Sequence, residues 1–395
     1  MGNKSKITTV IYNELPNKLA SYRLLDDIHS KIKPTLSSIG RKIDKPLILY
    51  GAGNLGKMAK DYFDKLNIPF LFIVDKTYSQ DPFWKNTKII KPLDVPCQLR
   101  NSSMIVVCVV TSSFSEIENS LKKQGWNDII PFYDITLAYQ DKHPLNNGWC
   151  TGLLDNRDIE SMNYVMSHLD DNISRAHYLQ FIAWHACREE WIFKHAPISN
   201  DNRYFISEIV SIITNNETFI DIGSHKGEVI SNFMKIVNYK FNKIIAIEPD
   251  KENIKQFLNN MVDYMNRLNI SLIPLTFGEK NEMKRFYHGL DYSSQLSELG
   301  NIEVNVQYLD DYKLSPTFIK IHTEGNEGDI IKGGLETITK NRPIIVTTCY
   351  HNRDGLWKTQ TQLMSSLKNY IYYFRLHSWC GTGAVIYAIP KERIE

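Results

Sequence analysis

Four things are scarce in this chain, and each scarcity removes a class of protein. The six cysteines (97, 108, 150, 187, 349 and 380) stand singly, with no C-x-x-C pair and no zinc-type spacing. Most sit in apolar runs, where a free thiol behaves as a small hydrophobe, so a reducing compartment is expected. Net charge is low: 46 Lys and Arg against 44 Asp and Glu leave +2, which gives no electrostatic reason to bind nucleic acid or an anionic membrane. Long apolar runs are missing as well. The longest, "MIVVCVV" (104–110), is far too short to span a bilayer, and the opening "MGNKSKITTVIYNELPNK" lacks the apolar core of a signal peptide. A cytoplasmic protein is expected. Finally, there is no low-complexity segment and no repeat beyond two related glycine turns.

What is present is enough apolar content, 43% of 395 residues, for large cores in two or three domains. Residues 1–45 read as a helical lead-in, with Leu19, Tyr22, Leu25 and Ile28 loosely on one face and Pro34 as a stop. Residues 46–140 alternate strand and helix ("PLILY", "KMAKDYFDKL", "FLFIVDK", "TKII", "SMIVVCVV", "SEIENSLKKQG", "DIIPF"), which implies a parallel sheet with helices on its faces. Residues 141–215 read as a helical linker: no strand pattern appears from about 155, and three segments show three- and four-residue apolar spacing. The middle one has its capping residue somewhere in 170–174. Residues 216–395 form a second α/β series, with strands near 218–223, 243–248, 271–277, 317–323, 343–350, 370–377 and 383–389. The last two are joined by only a few residues, too short for a parallel crossover, and are expected to run antiparallel. The fold class is therefore α/β, with two Rossmann-like parallel sheets joined by a helical segment.

The two glycine turns differ. Near residue 50, Gly51-x-Gly53-x-x-Gly56 follows a strand and Asp75 ends the next, the dinucleotide-type fingerprint. It reads either as a second nucleotide or nucleotide-sugar site or as a turn whose glycines only permit tight strand-helix packing. The downstream turn, "TFIDIGSHKGEVI" (218–230), carries Asp221 just ahead of Gly223 and Gly227, with Ser224 between them. A carboxylate there repels a pyrophosphate and suits a phosphate-free nucleoside with cationic groups, such as S-adenosylmethionine. Glu248, followed by Pro249 in "AIEPD" at the end of the next strand, is placed to accept hydrogen bonds from both ribose hydroxyls. The plain alternative for Asp221 is a helix-capping carboxylate. After the third strand, Phe277 is expected to lie against the adenine, with backbone N–H groups near Gly278 and Glu279 reading its edge; a hairpin turn is the alternative.

In this order, "FIDIGSHKG", "AIEPD", "FIKIHTEGNEGDIIKGG" and "RPIIVTTCYH" resemble the FkbM-type methyltransferases over residues 204–390. The resemblance implies a seven-stranded class I methyltransferase fold with an antiparallel last strand, S-adenosylmethionine as cofactor, and methyl transfer to a hydroxyl of a sugar or related metabolite. Residues 46–133 more loosely resemble nucleotide-sugar-binding Rossmann domains. Where the family pattern has Asp, this chain has His322; Glu324-Gly325 matches.

In an open α/β sheet ligands bind beyond the C-terminal ends of the strands, which gathers His322, Glu324, His351, Asn352 and His377 on one rim. O-methylation needs the acceptor oxygen in line with the S–CH3 bond and a group to take its proton. His322 is the expected base, with Glu324 on the same face if the strand stays regular, and His351 beside them. The same residues also have the ligand types of a divalent metal site, although their spacing matches no metal motif, and no metal is expected. The acceptor is expected to be a small molecule or glycan, with neither nucleic acid nor membrane as partner. Two further readings stay open: an NAD-dependent oxidoreductase built on the first turn, and a binding protein without turnover.

Overall fold

The computed structural model describes residues 7–32, 40–77, 81–145, 151 and 154–394; Pro34 and Cys150 lie outside them. Two parallel sheets organise the chain. The first has the order Ile89–Ile90, Ile73–Val74, Leu47–Tyr50, Met104–Val107, Ile129–Pro131, with every pair parallel. The second has seven strands in the order Ile270–Ile273, Lys243–Ile247, Thr218–Ile222, Phe318–Ile321, Ile344–Thr348, Ala384–Pro390, Tyr370–Leu376. Its first five run parallel, and Ala384–Pro390 is antiparallel to both neighbours.

Both faces of the seven-stranded sheet are covered, so its strands read as continuous apolar runs whose alternate residues enter different cores. Ile220, Ile222, Ile245, Ile247, Ile319 and Ile321 enter one core. Phe219, Ile244, Ala246, Phe318, Ile344 and Val346 enter the other, where the Phe219 and Phe318 rings stack with centroids 4.9 Å apart. Burying each of the Ile, Val and Phe side chains among them contributes about 1.5 to 3 kcal/mol. The strand order reverses between Thr218–Ile222 and Phe318–Ile321, and in open α/β sheets the ligand crevice opens at that switch point.

Several expectations need correction. The lead-in is not wholly helical: Thr8–Tyr12 is a strand, paired in parallel with Glu189–Phe193. That second strand lies in the stretch expected to hold none, because helix Asn172–Cys187 stops at Arg188, which takes a left-handed conformation (φ 57°), and the chain then extends. Helix Lys18–Lys31 buries Ser21, Leu25 and Ile28, while Leu19 is exposed. The segment expected as a linker also builds the core. Asp171 caps helix Asn172–Cys187 by accepting from Ser174 N at 2.7 Å, and Tyr178 meets Phe374 of the sheet edge at 5.3 Å. The third expected linker helix is a single turn, Ser207–Val210.

Pro274, with no N–H for the ladder, ends the strand expected over 271–277 at Ile273. Thr276–Phe277 then joins Glu282–Tyr287, Gln295–Leu296 and Ile302–Gln307 in a separate four-stranded sheet. Residues 289–316 thus contain two of its strands. The first sheet is bound to the rest of the chain by buried charge. Arg188 Nη2 donates to both oxygens of Asp134 at 2.7 Å, and Glu190 accepts from Phe114 N (2.9 Å) and Ser115 N (3.0 Å) at the start of helix Phe114–Lys123. None of the described helices is long and apolar enough to cross a membrane.

Candidate functional site

Strand register builds the centre of the site. Lys320 is the parallel partner of Asp221, and alternation puts both on the face that carries Phe219 and Phe318. Both are buried, with Lys320 Nζ 2.8 Å from Asp221 Oδ1; the ammonium also donates to Gly223 O at 2.7 Å and Ile222 O at 3.4 Å. Burial alone would discharge Lys320, but Asp221 and then Tyr204, whose ring lies 5.3 Å from Nζ, outweigh it and hold its pKa above the lysine range. Burial raises the Asp221 pKa, opposed by the Lys320 ammonium beside it. This corrects the electrostatic argument made from sequence, which took Asp221 as a carboxylate free to face a ligand: a cation of the protein stands 2.8 Å from it.

Gly223 and Gly227 occupy left-handed conformations (φ 76° and 88°), as does His225 between them (φ 50°). Any Cβ at Gly223 would stand 1.9 Å from His322 O. The turn delivers His225 N to Glu248 Oε2 at 2.8 Å, and Asp250 N reaches Glu248 Oε1 at 3.0 Å. Burial raises the Glu248 pKa, opposed by these N–H donors. Glu248 and Pro249 line a cavity together with Gly223, Leu275, Thr276 and His322. Ser224 is buried beside the turn. Phe277, Gly278 and Glu279 are not in that wall. Phe277 is fully buried against Tyr312, Gly278 N donates to Gln307 O at 3.0 Å, and Glu279 pairs with Lys332 at 3.1 Å, because this stretch belongs to the four-stranded sheet. Leu275 and Thr276 occupy the wall instead.

The cavity holds only about 40 Å³, room for a few waters. A strap over residues 289–294 forms one wall of it through Asp291, Tyr292 and Ser294. His225 Nε2 lies 2.8 Å from Asp291 Oδ1, Asn253 Nδ2 donates to Asp291 O at 3.2 Å, and Asp250 Oδ2 accepts from Ser294 Oγ (2.8 Å) and Gly289 N (3.1 Å). Burial would lower the His225 pKa, but Asp291 and Glu228 outweigh it and raise it to about 9. From the first sheet's side, Lys65 Nζ donates to Gly289 O at 2.7 Å.

Beyond Ile321 the strand does not stay regular. Glu324 takes a left-handed conformation (φ 56°), and that bend, not strand alternation, turns its carboxylate back to 3.1 Å from His322 Nε2 and 3.3 Å from His351 Nε2. His351 Nδ1 lies 2.9 Å from Glu327 Oε1, and His322 Nδ1 is 2.6 Å from the Tyr204 hydroxyl. Glu327 also accepts from Thr323 N (3.1 Å), Gly325 N (3.0 Å) and Thr348 Oγ1 (2.9 Å). Burial lowers the His322 pKa to about 4 although Glu324 opposes it, whereas the paired carboxylates Glu324 and Glu327 overcome burial at His351 and raise it to about 10. His377 is elsewhere: its ring nitrogens contact Ser199 O (2.8 Å) and the Tyr387 hydroxyl (2.7 Å). Tyr204, Lys320 and Glu327 were missed in the sequence; the second Glu of "EGNEGD" was the one available signal.

A second, polar cleft of about 710 Å³ adjoins, lined by Arg285, Gln295, Glu303, His351, Asn352 and Arg353 among others. It shares Thr323, Glu324 and Asn326 with the smaller cavity, so the two meet at the histidine-glutamate cluster.

At the first glycine turn the protein supplies its own partners. Asp75 Oδ2 accepts from Ala52 N at 2.7 Å, and Trp84 Nε1 donates to Ala52 O at 2.9 Å. A Cβ on Gly56 would stand 2.0 Å from Gly51 O, and one on Gly51 2.7 Å from Val109 Cγ2, so both glycines serve close packing, while Gly53 faces open space. The next helix N-terminus along this rim, at Phe114, is filled by Glu190.

Residues 221–374 match the family described as the methyltransferase FkbM domain. No curated protein sequence matches the chain. Among solved structures the chain is similar to methyltransferase FkbM from Methylobacillus flagellatus KT, at 17% identity and a TM-score of 0.62, covering 94% of this chain and 100% of that one. That likeness is one of fold. It is also similar to the SAH-bound methyltransferase PaMTH1 from Podospora anserina, at 9% identity and a TM-score of 0.31, over 60% of this chain and 89% of that one.

Proposed function

We propose, from the premise that residues 221–374 are a methyltransferase FkbM domain, that the chain is an S-adenosylmethionine-dependent O-methyltransferase acting on a hydroxyl of a carbohydrate or related metabolite. The observation that carries this reading is a small cavity at the switch point, lined by the glycine turn, Glu248 and His322, which shares Thr323 and Glu324 with a polar cleft lined by His351. The seven-strand order, with its one antiparallel strand, supports a class I methyltransferase fold.

The residues present fit the cofactor. Glu248 offers a buried carboxylate for the ribose hydroxyls, and the buried Thr323 hydroxyl in the same wall has no hydrogen-bond partner among the described residues. S-adenosylmethionine, when bound, supplies an electrophilic methyl group on a sulfonium. Entry of a nucleoside requires the strap at 289–294 to move, since the cavity holds about 40 Å³. The acceptor hydroxyl then sits in the shared wall beside His322, Glu324 and His351, where its proton is lost. The polar lining of the larger cleft suits a polyhydroxylated acceptor. A further cleft of about 700 Å³ between helix Asn54–Lys65 and the strap, lined by Lys57 and Lys226, gives the N-terminal sheet a place to hold a nucleotide-linked part of that acceptor.

Calorimetry tests the reading. S-adenosylmethionine should bind with a 1:1 stoichiometry, and Glu248→Ala should weaken it by at least tenfold; no binding to the wild-type chain at millimolar cofactor overturns the assignment. Methyl-labelled cofactor with a panel of sugars and nucleotide sugars then identifies the acceptor.

A further inference from the structure

Two imidazoles and one carboxylate converge on a single point where the two cavities meet. Glu324 Oε1 stands 3.1 Å from His322 Nε2 and 3.3 Å from His351 Nε2, and the three donor atoms lie within 4.8 Å of one another. Three ligands at about 2.1 Å from a common ion are separated by roughly 3.0 Å in octahedral and 3.4 Å in tetrahedral coordination. Both Glu324-histidine contacts fall in that interval, and the two imidazole nitrogens lie within 4.8 Å of each other. Both Nε2 atoms are buried and lack an aligned hydrogen-bond partner among the described residues, as does His351 Nδ1, whose contact with Glu327 is a close charge contact.

The surroundings repeat the organisation of metal-binding histidines, which usually present their second nitrogen to a carboxylate, carbonyl or other oxygen that fixes the ring. His351 Nδ1 faces Glu327 Oε1 at 2.9 Å, and His322 Nδ1 faces the Tyr204 hydroxyl at 2.6 Å. The two rings are nearly parallel, with an interplanar angle of 24° and centroids 5.1 Å apart. The Glu327 carboxylate is held in turn by Thr323 N, Gly325 N and Thr348 Oγ1.

We propose that His322, Glu324 and His351 bind one divalent first-row transition ion, with Glu327 and Tyr204 orienting the two imidazoles and the open coordination positions facing the wall shared by the two cavities. The nitrogen-rich set selects an ion such as Zn²⁺, Mn²⁺ or Fe²⁺ over Mg²⁺ or Ca²⁺, which prefer all-oxygen sites. The binding itself does not rest on the methyltransferase reading; its use does. In that use the ion positions the acceptor hydroxyl and lowers its pKa. The acceptor oxygen forms the O–CH3 bond with its lone pair while the S–CH3 bond breaks with its electrons left on sulfur, and the hydroxyl proton passes to solvent. His322 is then a ligand and not the base.

The test is a cobalt titration of the full chain after EDTA treatment. One equivalent of Co²⁺ should bind and give visible d–d absorption, and both His322→Asn and Glu324→Gln, with folding checked by circular dichroism, should lose that band or need at least a hundredfold more metal. Absence of a band at millimolar Co²⁺ with the wild-type chain, or a band unchanged in both folded variants, overturns the site and leaves a protonated His351 bridging the two glutamates. Cobalt binding without S-adenosylmethionine binding would sink the proposed function and leave the metal site standing; cofactor binding without cobalt would do the reverse.

Discussion

Replacing Lys320 with Met tests the corrected electrostatics of the glycine turn. Lys320 and Asp221 are 2% and 0% exposed, so neither is solvated by bulk water. At their 2.8 Å separation the Coulomb attraction is roughly 6 kcal/mol with an effective dielectric of about 20. Desolvation offsets part of that in the wild type, but removing one partner strands the other, and breaking buried pairs costs about 3 to 5 kcal/mol. Lys320→Met should therefore lower the melting temperature of the region by on the order of 10 °C. Asp221→Asn should cost less, since the ammonium keeps Gly223 O and Ile222 O and can still donate to the amide. The double variant should recover to within about 1 to 2 kcal/mol of wild type, the residue being the donor lost by Gly223 O. Urea unfolding of the four proteins gives the coupling energy directly. If the double variant loses as much as the two single variants together, the charges are not paired, and Asp221 returns as a free carboxylate facing the ligand.

Two further outcomes follow from the turn and its strap. Gly223→Ala places a methyl group 1.9 Å from His322 O at a φ of 76°, and should cost roughly 3 kcal/mol and abolish cofactor binding; a variant that melts and binds like wild type would show that the turn has another conformation. The His225–Asp291 latch should open as pH rises. His225 has its pKa raised to about 9, so its contribution is complete below the ordinary histidine value of about 6.5 and is lost as pH climbs through 9. Asp291 is half-exposed, which reduces the effect to on the order of 1 kcal/mol. Limited proteolysis at 289–294 should accelerate about fivefold between pH 7 and 9.5, and His225→Ala should be fast at both; equal rates for the wild type would refute the latch.

The sequence alone determined the seven strands of the second sheet, the antiparallel ending and both glycine turns. These are legible because hydrophobic runs of strand length and glycine at forced backbone angles are local properties. It did not reveal the strand Glu189–Phe193, whose partner Thr8–Tyr12 lies far away near the start of the sequence, or the four-stranded sheet started by the break at Pro274. The tertiary structure also decided what each polar residue is for. Register put Lys320 against Asp221, a left-handed Glu324 turned a carboxylate onto two imidazoles, and Glu190 filled a helix terminus more than seventy residues upstream. A side chain's charge is written in the sequence, but which opposite charge or N–H answers it depends on distances of about 3 Å between segments far apart in the chain, and those exist only once the sheets have paired.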